Sequence, residues 1–297
     1  DVQLAVLGHG ADLGGKDVAG AVHVDGAIVV GQVNGDEHRV AQLVGLPVAG
    51  TVEVVGAVDV AVHAGGHQEG IAADAALVHD DILDNAETRR GNVSLNRKLG
   101  NNMSVLAGDI LLSVALKELA KCQNHEVICE FANSLYKICK GEINQDFTTG
   151  KLPSLEEYIK KSKAKTAELF KAPLVSLAIL CDNSKKKALS DFAENFGIAF
   201  QIKDDLMNIL KSDPTKPAMS DIENGIYTAP VIFLNQNIEN MPADDIKKLL
   251  NDNPEVITKT KDLIKYYVNN TVKSIDSINN NLYKQEIIRL TNQNLIF

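Results

Sequence analysis

Two acidic clusters carry the chemistry that is legible in this chain. The first is His79-Asp80-Asp81-Ile82-Leu83-Asp84, followed at once by Asn85-Ala86-Glu87-Thr88-Arg89-Arg90-Gly91. On a helix, Asp80 and Asp84 lie one turn apart on the same face with Asp81 beside them, so their carboxylates can converge on hard divalent cations, which favour oxygen ligands. Magnesium is the natural reading. Arg89 and Arg90 add planar forks suited to phosphate oxygens. Acid and base side by side suggest a metal-bound diphosphate.

The second cluster lies far along the chain, in Gly197-Ile198-Ala199-Phe200-Gln201-Ile202-Lys203-Asp204-Asp205-Leu206-Met207-Asn208. It places Asp204 and Asp205 inside an apolar, helix-compatible segment, where unpaired carboxylates would be costly and a metal would relieve the cost. Between the clusters stand Gly141-Glu142-Ile143-Asn144-Gln145-Asp146 and Lys163-Ala164-Lys165-Thr166-Ala167, and Lys216-Pro217 follows the second.

The elements that must position these residues read as helices. Residues 103–120, 127–147, 155–180 and 185–210 each carry apolar side chains at helical spacing over lengths too great for strands. Ser154 with Glu157 fits a capping box that starts the third. Asn183-Ser184 breaks between the third and the fourth, and Pro214 with Pro217 stops the chain after the second acidic cluster. Amphipathic stretches at 246–250 and 256–275 continue the helical array.

Taken together, the motifs resemble the trans-isoprenyl diphosphate synthase family, the head-to-tail prenyltransferases, from about residue 75 to about 232 and more loosely beyond. The family's DDxxD motif with its Arg-Arg pair is matched by Asp80, Asp81, Asp84, Arg89 and Arg90. Its next helix is matched by Val105-Leu106-Ala107-Gly108-Asp109. Its Gly-Glu-x-x-Gln element is matched by Gly141, Glu142 and Gln145, its Lys-Thr pair by Lys165 and Thr166, and its Phe-Gln-x-x-Asp-Asp element by Phe200, Gln201, Asp204 and Asp205. Two departures stand out. Asn208 occupies the last position of the second acidic motif, where the family usually has Asp, which implies weaker metal affinity. The family's upstream Gly-Gly-Lys-Arg-x-Arg-Pro motif has only a distant echo in Gly14-Gly15-Lys16-Asp17, and Ala73 stands about where a His of the isopentenyl site belongs.

The resemblance implies an all-α isoprenoid-synthase bundle around a central cavity, with two acidic helices facing each other across Mg2+ and an allylic diphosphate. It implies a condensation of that allylic diphosphate with isopentenyl diphosphate. Asp80, Asp84 and Asp204 are then the foremost metal ligands, with Asp81 and Asp205 supporting them. Arg89, Lys165, Thr166, Gln201 and Lys216 grip the allylic diphosphate or the developing leaving group, and Arg90 and Phe200 belong to the isopentenyl site. Ala75 and Ala76, five and four positions before the first motif, leave the product tunnel open, which implies a medium or long polyprenyl product. A noncatalytic or crippled subunit of a heteromeric synthase is the alternative, favoured by Asn208 and the missing upstream motif. The family also implies a homodimer.

Competing readings are weaker. An HD-type metal phosphohydrolase beginning at His79 needs further His ligands, and only His125 follows. A terpene cyclase needs a Ser or Thr and a Glu at fixed offsets after the second acid, which Met207, Asn208, Lys211 and Ser212 do not supply. A net charge of -9 argues against nonspecific nucleic-acid binding. Cys122, Cys129, Cys139 and Cys181 have no metal-ligand spacing and read as buried thiols of a reducing cytoplasm. The sequence has no apolar run long enough to span a bilayer and no signal-peptide order at its start.

Residues 1–74 differ in composition from the rest. They are dominated by Val, Ala and Gly, with Lys16 as their only lysine and no Ser, Phe, Tyr or Cys. The shift marks a domain boundary or linker, or a chimeric or misread coding segment, and separates an atypical segment, 1–74, from a helical domain, 75–297, which the resemblance implies is the prenyltransferase. Val22-His23-Val24 and Val52-Glu53-Val54 read as short strands in an otherwise irregular segment.

Overall fold

Apolar residues at helical spacing generate most of the fold, and the breaks between helices fall at glycine, proline and asparagine. The computed structural model describes residues 5–8, 21–24, 27–30, 68–89, 92–210, 219–238, 241–279 and 282–296. The chain falls into two compact units, Asp1–Asn124 and His125–Phe297.

The first unit holds strands β1 (Ala5–Gly8), β2 (Ala21–Val24) and β3 (Ala27–Val30), which form an antiparallel sheet in the order β1-β3-β2. Ala21 and Ala5 both pair with Val30, on either side of the central strand. The strand read at 22–24 is thus present, while that at 52–54 and the Gly14-Gly15-Lys16-Asp17 echo lie outside the described residues. Helix α1 (Gln68–Leu83) carries the first acidic cluster, and the short hairpin β4 (Thr88–Arg89) and β5 (Asn92–Val93) follows it. Helices α2 (Leu95–Leu99) and α3 (Asn101–Lys121) complete the unit. Ala75 on α1 is buried against Leu111 and Ala115 of α3, with Val78, Leu112 and Val114 around them. Small residues here let the two helix backbones approach closely. Gly108 takes this furthest: a Cβ at that position would lie 2.4 Å from the His79 Nε2.

The second unit is helical among its described residues. Its elements are α4 (His125–Thr148), α5 (Leu155–Ser162), a π-helical turn (Lys163–Ala167), α6 (Glu168–Cys181), α7 (Lys186–Ile209), α8 (Ser220–Glu223), α9 (Ala229–Ile232), α10 (Ala243–Asp252), α11 (Glu255–Ser274) and α12 (Leu282–Leu295). The capping box at the start of α5 is formed as the sequence requires. Ser154 Oγ accepts from the Glu157 N–H, and Glu157 Oε2 accepts from the Ser154 N–H. A 3₁₀ turn, Asn183–Lys185, marks the break before α7. Pro214 and Pro217 lie outside the described residues.

One core layer gathers Ile198, Ala199, Ile202 and Leu206 of α7 with Ile264 and Val268 of α11, Leu295 of α12 and the ring of Tyr158. A second joins Ile209, Met219, Val231, Ile238, Ile246, Leu250 and Val256. Phe192, Phe196 and Phe200 recur at i, i+4 along α7, and the Phe170 ring meets Phe196 edge-on at 4.9 Å. Glu168 is buried, and its charge is met by Lys137 Nζ and Ser134 Oγ, each donating at 3.0 Å from α4.

Two expectations change. The run expected as one helix over 155–180 is interrupted by the π turn, whose wider ring inserts an extra residue. The four cysteines are free thiols, but Cys129, Cys139 and Cys181 are exposed and Cys122 only half-buried. Their low polarity favours burial, yet the helical register places them away from the core stripe.

Candidate active site

The C-terminal end of α1 presents Asp80 half-buried and Asp84 exposed, one turn apart, with the Asp84 N–H bonded to the Asp80 carbonyl at 2.8 Å. Asp81 differs from both. It is 4% exposed, and its Oδ1 accepts from Arg89 Nε at 2.9 Å and Arg89 Nη2 at 2.5 Å. Burial works to lower the Arg89 pKa, but the hydrogen bond to Asp81 and the charges of Asp81, Asp80 and Asp84 outweigh it and raise the guanidinium above its ordinary value. The hairpin is thereby tied back to the acidic helix. Ser94 Oγ reinforces the tie by donating to the Ala86 carbonyl at 2.6 Å, and Asn96 Nδ2 donates to the Asp81 carbonyl at 3.1 Å. Arg90 lies outside the described residues. His79 Nε2 lies 3.3 Å from both the Val105 carbonyl and Asp109 Oδ1, so the Val105–Asp109 motif braces the acidic helix from α3.

In the second unit the motif residues converge around the π turn. Gly141 of α4 and Gly197 of α7 lie against it: a Cβ on Gly141 would sit 3.2 Å from the Ala164 Cβ, and one on Gly197 only 2.4 Å from the Ala167 Cα. The turn's extra width occupies the space those side chains would fill. Held there, Lys165 Nζ reaches Glu142 Oε2 at 3.0 Å, and Thr166 Oγ1 donates to Gln201 Oε1 at 2.5 Å. Gln201 Nε2 in turn donates to Asp205 Oδ1 at 2.8 Å, while Tyr158 Oη donates to Asp205 Oδ2 at 2.5 Å. Asp204 is exposed, and Asp205 beside it is 5% exposed with both oxygens engaged. Burial foremost, with the Asp221 and Asp204 charges, pushes the Asp205 carboxyl up to about 7 despite its two hydrogen bonds.

The two acidic motifs thus follow one pattern. The first carboxylate of each pair is accessible, and the second is turned inward onto protein donors. Phe200 is half-buried, its ring 5.6 Å from that of Phe170. Asn208 is half-buried near the end of α7. Lys216 and the side chain of Gln145 lie outside the described residues, as does the side chain of Ala73. Three participants escaped the motif reading. Tyr158 and Ser162, whose Oγ donates to the Tyr158 carbonyl at 3.0 Å, belong to this network. Lys161 has its ammonium pushed down by burial and stands among the charges of Asp205, Lys165, Glu142 and Asp221. Its spacing of four from Lys165 was the signal available.

The profile of the polyprenyl synthetase family matches residues 63–267. The chain belongs to that family. Within the polyprenyl synthetases, it is 38% identical over 164 residues to solanesyl diphosphate synthase 3, chloroplastic/mitochondrial, of Arabidopsis thaliana, covering 54% of this chain and 39% of that protein. It is 33% identical over 222 residues to solanesyl-diphosphate synthase 1, mitochondrial, of Oryza sativa subsp. japonica, covering 69% of this chain and 51% of that one. The chain spans about half or less of the length of these two relatives. Its fold is that of octaprenyl pyrophosphate synthase from Helicobacter pylori, with a TM-score of 0.65 at 25% identity over 87% of this chain and 89% of the other. Heptaprenyl diphosphate synthase from Staphylococcus aureus superposes with a TM-score of 0.71 at 23% identity, over 83% and 80% of the two chains. The all-α isoprenoid-synthase fold expected from residue 75 onward is therefore the one the chain adopts. No helix among the described residues is long and apolar enough to cross a membrane.

Proposed function

We propose that this polyprenyl synthetase is a prenyltransferase that condenses an allylic diphosphate with isopentenyl diphosphate to give a medium or long polyprenyl diphosphate. The observation that carries the reading is the shared pattern of the acidic motifs: Asp80, Asp84 and Asp204 are accessible, while Asp81 and Asp205 are locked on Arg89, Tyr158 and Gln201. The accessible donors are all carboxylates, with no thiolate or imidazole among them, a set that suits Mg2+. Bound Mg2+ would neutralise charge that builds on the departing diphosphate.

The chain's own residues have separable tasks. Asp80, Asp84 and Asp204 would serve as Mg2+ ligands, and Asp81 and Asp205 would support them from inside the protein. Arg89, Lys165, Gln201 and Lys216 bind phosphate oxygens and stabilise the leaving group as the allylic carbon–oxygen bond breaks, while Thr166, whose hydroxyl donates to Gln201 Oε1, holds that amide in place. Arg90 and Phe200 serve the isopentenyl diphosphate, whose double bond attacks the allylic carbocation left when the carbon–oxygen bond breaks. The proton then lost from carbon passes to the released diphosphate. We take residues 75–297 as the prenyltransferase domain and 1–74 as a segment apart from it, and we propose a homodimer working in the cytoplasm, although the named plant relatives are chloroplastic or mitochondrial. The alternative of a noncatalytic subunit rests on Asn208 and the missing upstream basic motif.

Thermal stabilisation by a bisphosphonate tests the site directly. The melting temperature should rise with bisphosphonate and Mg2+ together, because each supplies charge the other requires. An equal rise in the presence of chelator would contradict a metal-bridged diphosphate.

Product length follows from α1. Ala75 is 2% exposed and packed on Leu111 and Ala115, so Ala75→Phe overpacks a helix contact and should cost about 1–3 kcal/mol. Ala76 is only half-buried and is the cleaner probe. Ala76→Phe should shorten the products, separated by reversed-phase chromatography, with little change in the first condensation. Unchanged products would place the length determinant elsewhere.

A further inference from the structure

Tyr158 stands outside the motifs, yet it occupies the inner end of the polar chain that runs through them. Its ring is 3% exposed in the core beside Ile198, Ile202 and Leu206, a position phenylalanine would fill equally well. The hydroxyl is therefore what distinguishes it. Burial first, and then the Asp205 charge, push the phenol well above its ordinary pKa, so it remains a donor.

The hydrogen bonds have a defined direction. Ionised Asp205 only accepts, and in that form its Oδ1 faces the amide nitrogen of Gln201, as it does at 2.8 Å. That turns Gln201 Oε1 toward Thr166, whose hydroxyl must then donate, as it does at 2.5 Å. The Thr166 proton is thereby committed, and the second N–H of Gln201 is the donor left for a ligand oxygen. All of this depends on Asp205 keeping its plane and its place. Tyr158 Oη, 2.5 Å from Oδ2, anchors the side of the carboxylate that Gln201 does not hold.

We propose that Tyr158 is a positioning residue for the diphosphate grip: by anchoring Asp205 it fixes the amide direction of Gln201 and, through it, the orientation of the Thr166 hydroxyl. The inference rests on the prenyltransferase reading above. Tyr158 touches no substrate and acts only through Asp205.

Calorimetric titration of the full chain with inorganic pyrophosphate, at several Mg2+ concentrations, tests it. Tyr158→Phe should raise the pyrophosphate Kd about tenfold at saturating Mg2+, the equivalent of one well-directed hydrogen bond. The Mg2+ concentration at half-maximal binding should stay unchanged, whereas Asp204→Asn should raise it. Thr166→Val added to Tyr158→Phe should weaken binding no further than Thr166→Val alone, because both act through one chain. An unchanged Kd in Tyr158→Phe with only a lowered melting temperature would overturn the proposal, as would strictly additive losses in the double variant. If Tyr158→Phe folds poorly, Tyr158→Phe with Asp205→Asn removes the unpaired buried charge. The Kd should stay raised in that folded double variant, since an Asn amide can turn either end to Gln201, and affinity at the unsubstituted level would refute the idea. Absence of any Mg2+-dependent pyrophosphate binding by the unsubstituted chain would sink the prenyltransferase reading and this inference with it, whereas normal binding with an unchanged Tyr158→Phe sinks the inference alone.

Discussion

Replacing Asp80 or Asp204 by alanine should lower turnover by about 10²–10³-fold or more, with the melting temperature almost unchanged. Both carboxylates sit where burial contributes little to folding: Asp204 is exposed and Asp80 half-buried at the end of α1. On the proposed mechanism their removal would take charge stabilisation from the breaking carbon–oxygen bond while leaving the helix intact. Asp81→Ala should behave in the opposite way. It strips the buried partner from Arg89 and should destabilise the first unit, because a half-buried guanidinium loses the carboxylate that holds it. Thermal melting and steady-state kinetics on the three variants separate the two outcomes. Equal stability losses in Asp80→Ala and Asp81→Ala would show that the distinction between accessible and inward carboxylates is mistaken.

Gly197→Ala should be the most damaging single-methyl change in the second unit. The added Cβ would lie 2.4 Å from the Ala167 Cα and 3.0 Å from its backbone nitrogen. These are backbone atoms with no rotamer to change, so either α7 moves or the π turn does. Overpacking of this kind typically costs about 1–3 kcal/mol, and a backbone clash belongs at the upper end. The π turn carries Lys165 and Thr166, so the affinity for the allylic diphosphate should fall in the fraction that remains folded. Gly141→Ala, whose Cβ would meet the Ala164 Cβ at 3.2 Å, should be distinctly milder. Chemical denaturation with parallel KM measurements checks both. A Gly197→Ala protein with unsubstituted stability and KM would mean that the π turn is not held by that glycine.

The long helices were legible because their apolar periodicity is strong over many turns. Residues 103–120 and 127–147 fall within α3 and α4, and the Ser154–Glu157 box starts α5 where the sequence places it. The π turn was not legible, since its cause is nonlocal: glycines on α4 and α7, far away in sequence, make room for it. The same reason hides Tyr158. Nothing in its own neighbourhood announces a partner 47 residues away, although a tyrosine on an apolar helix face is a standing question about where its hydroxyl goes. The roles of Asp81 and Asp205 were only half legible. Sequence puts two carboxylates side by side, and only the fold turns one of each pair inward. The exposed cysteines have the same origin, because a thiol's preference for burial is weak beside the register set by Leu, Ile and Phe.

Extension of an allylic diphosphate by this chain is read out by incubating the purified protein with labelled isopentenyl diphosphate, Mg2+ and a series of allylic primers, and separating the extracted products by length. Mg2+-dependent incorporation into medium or long polyprenyl diphosphates is expected, abolished by chelator and by Asp204→Ala. No incorporation with any primer, from a folded protein that binds bisphosphonate and Mg2+, would contradict it and leave the noncatalytic subunit as the reading of this chain.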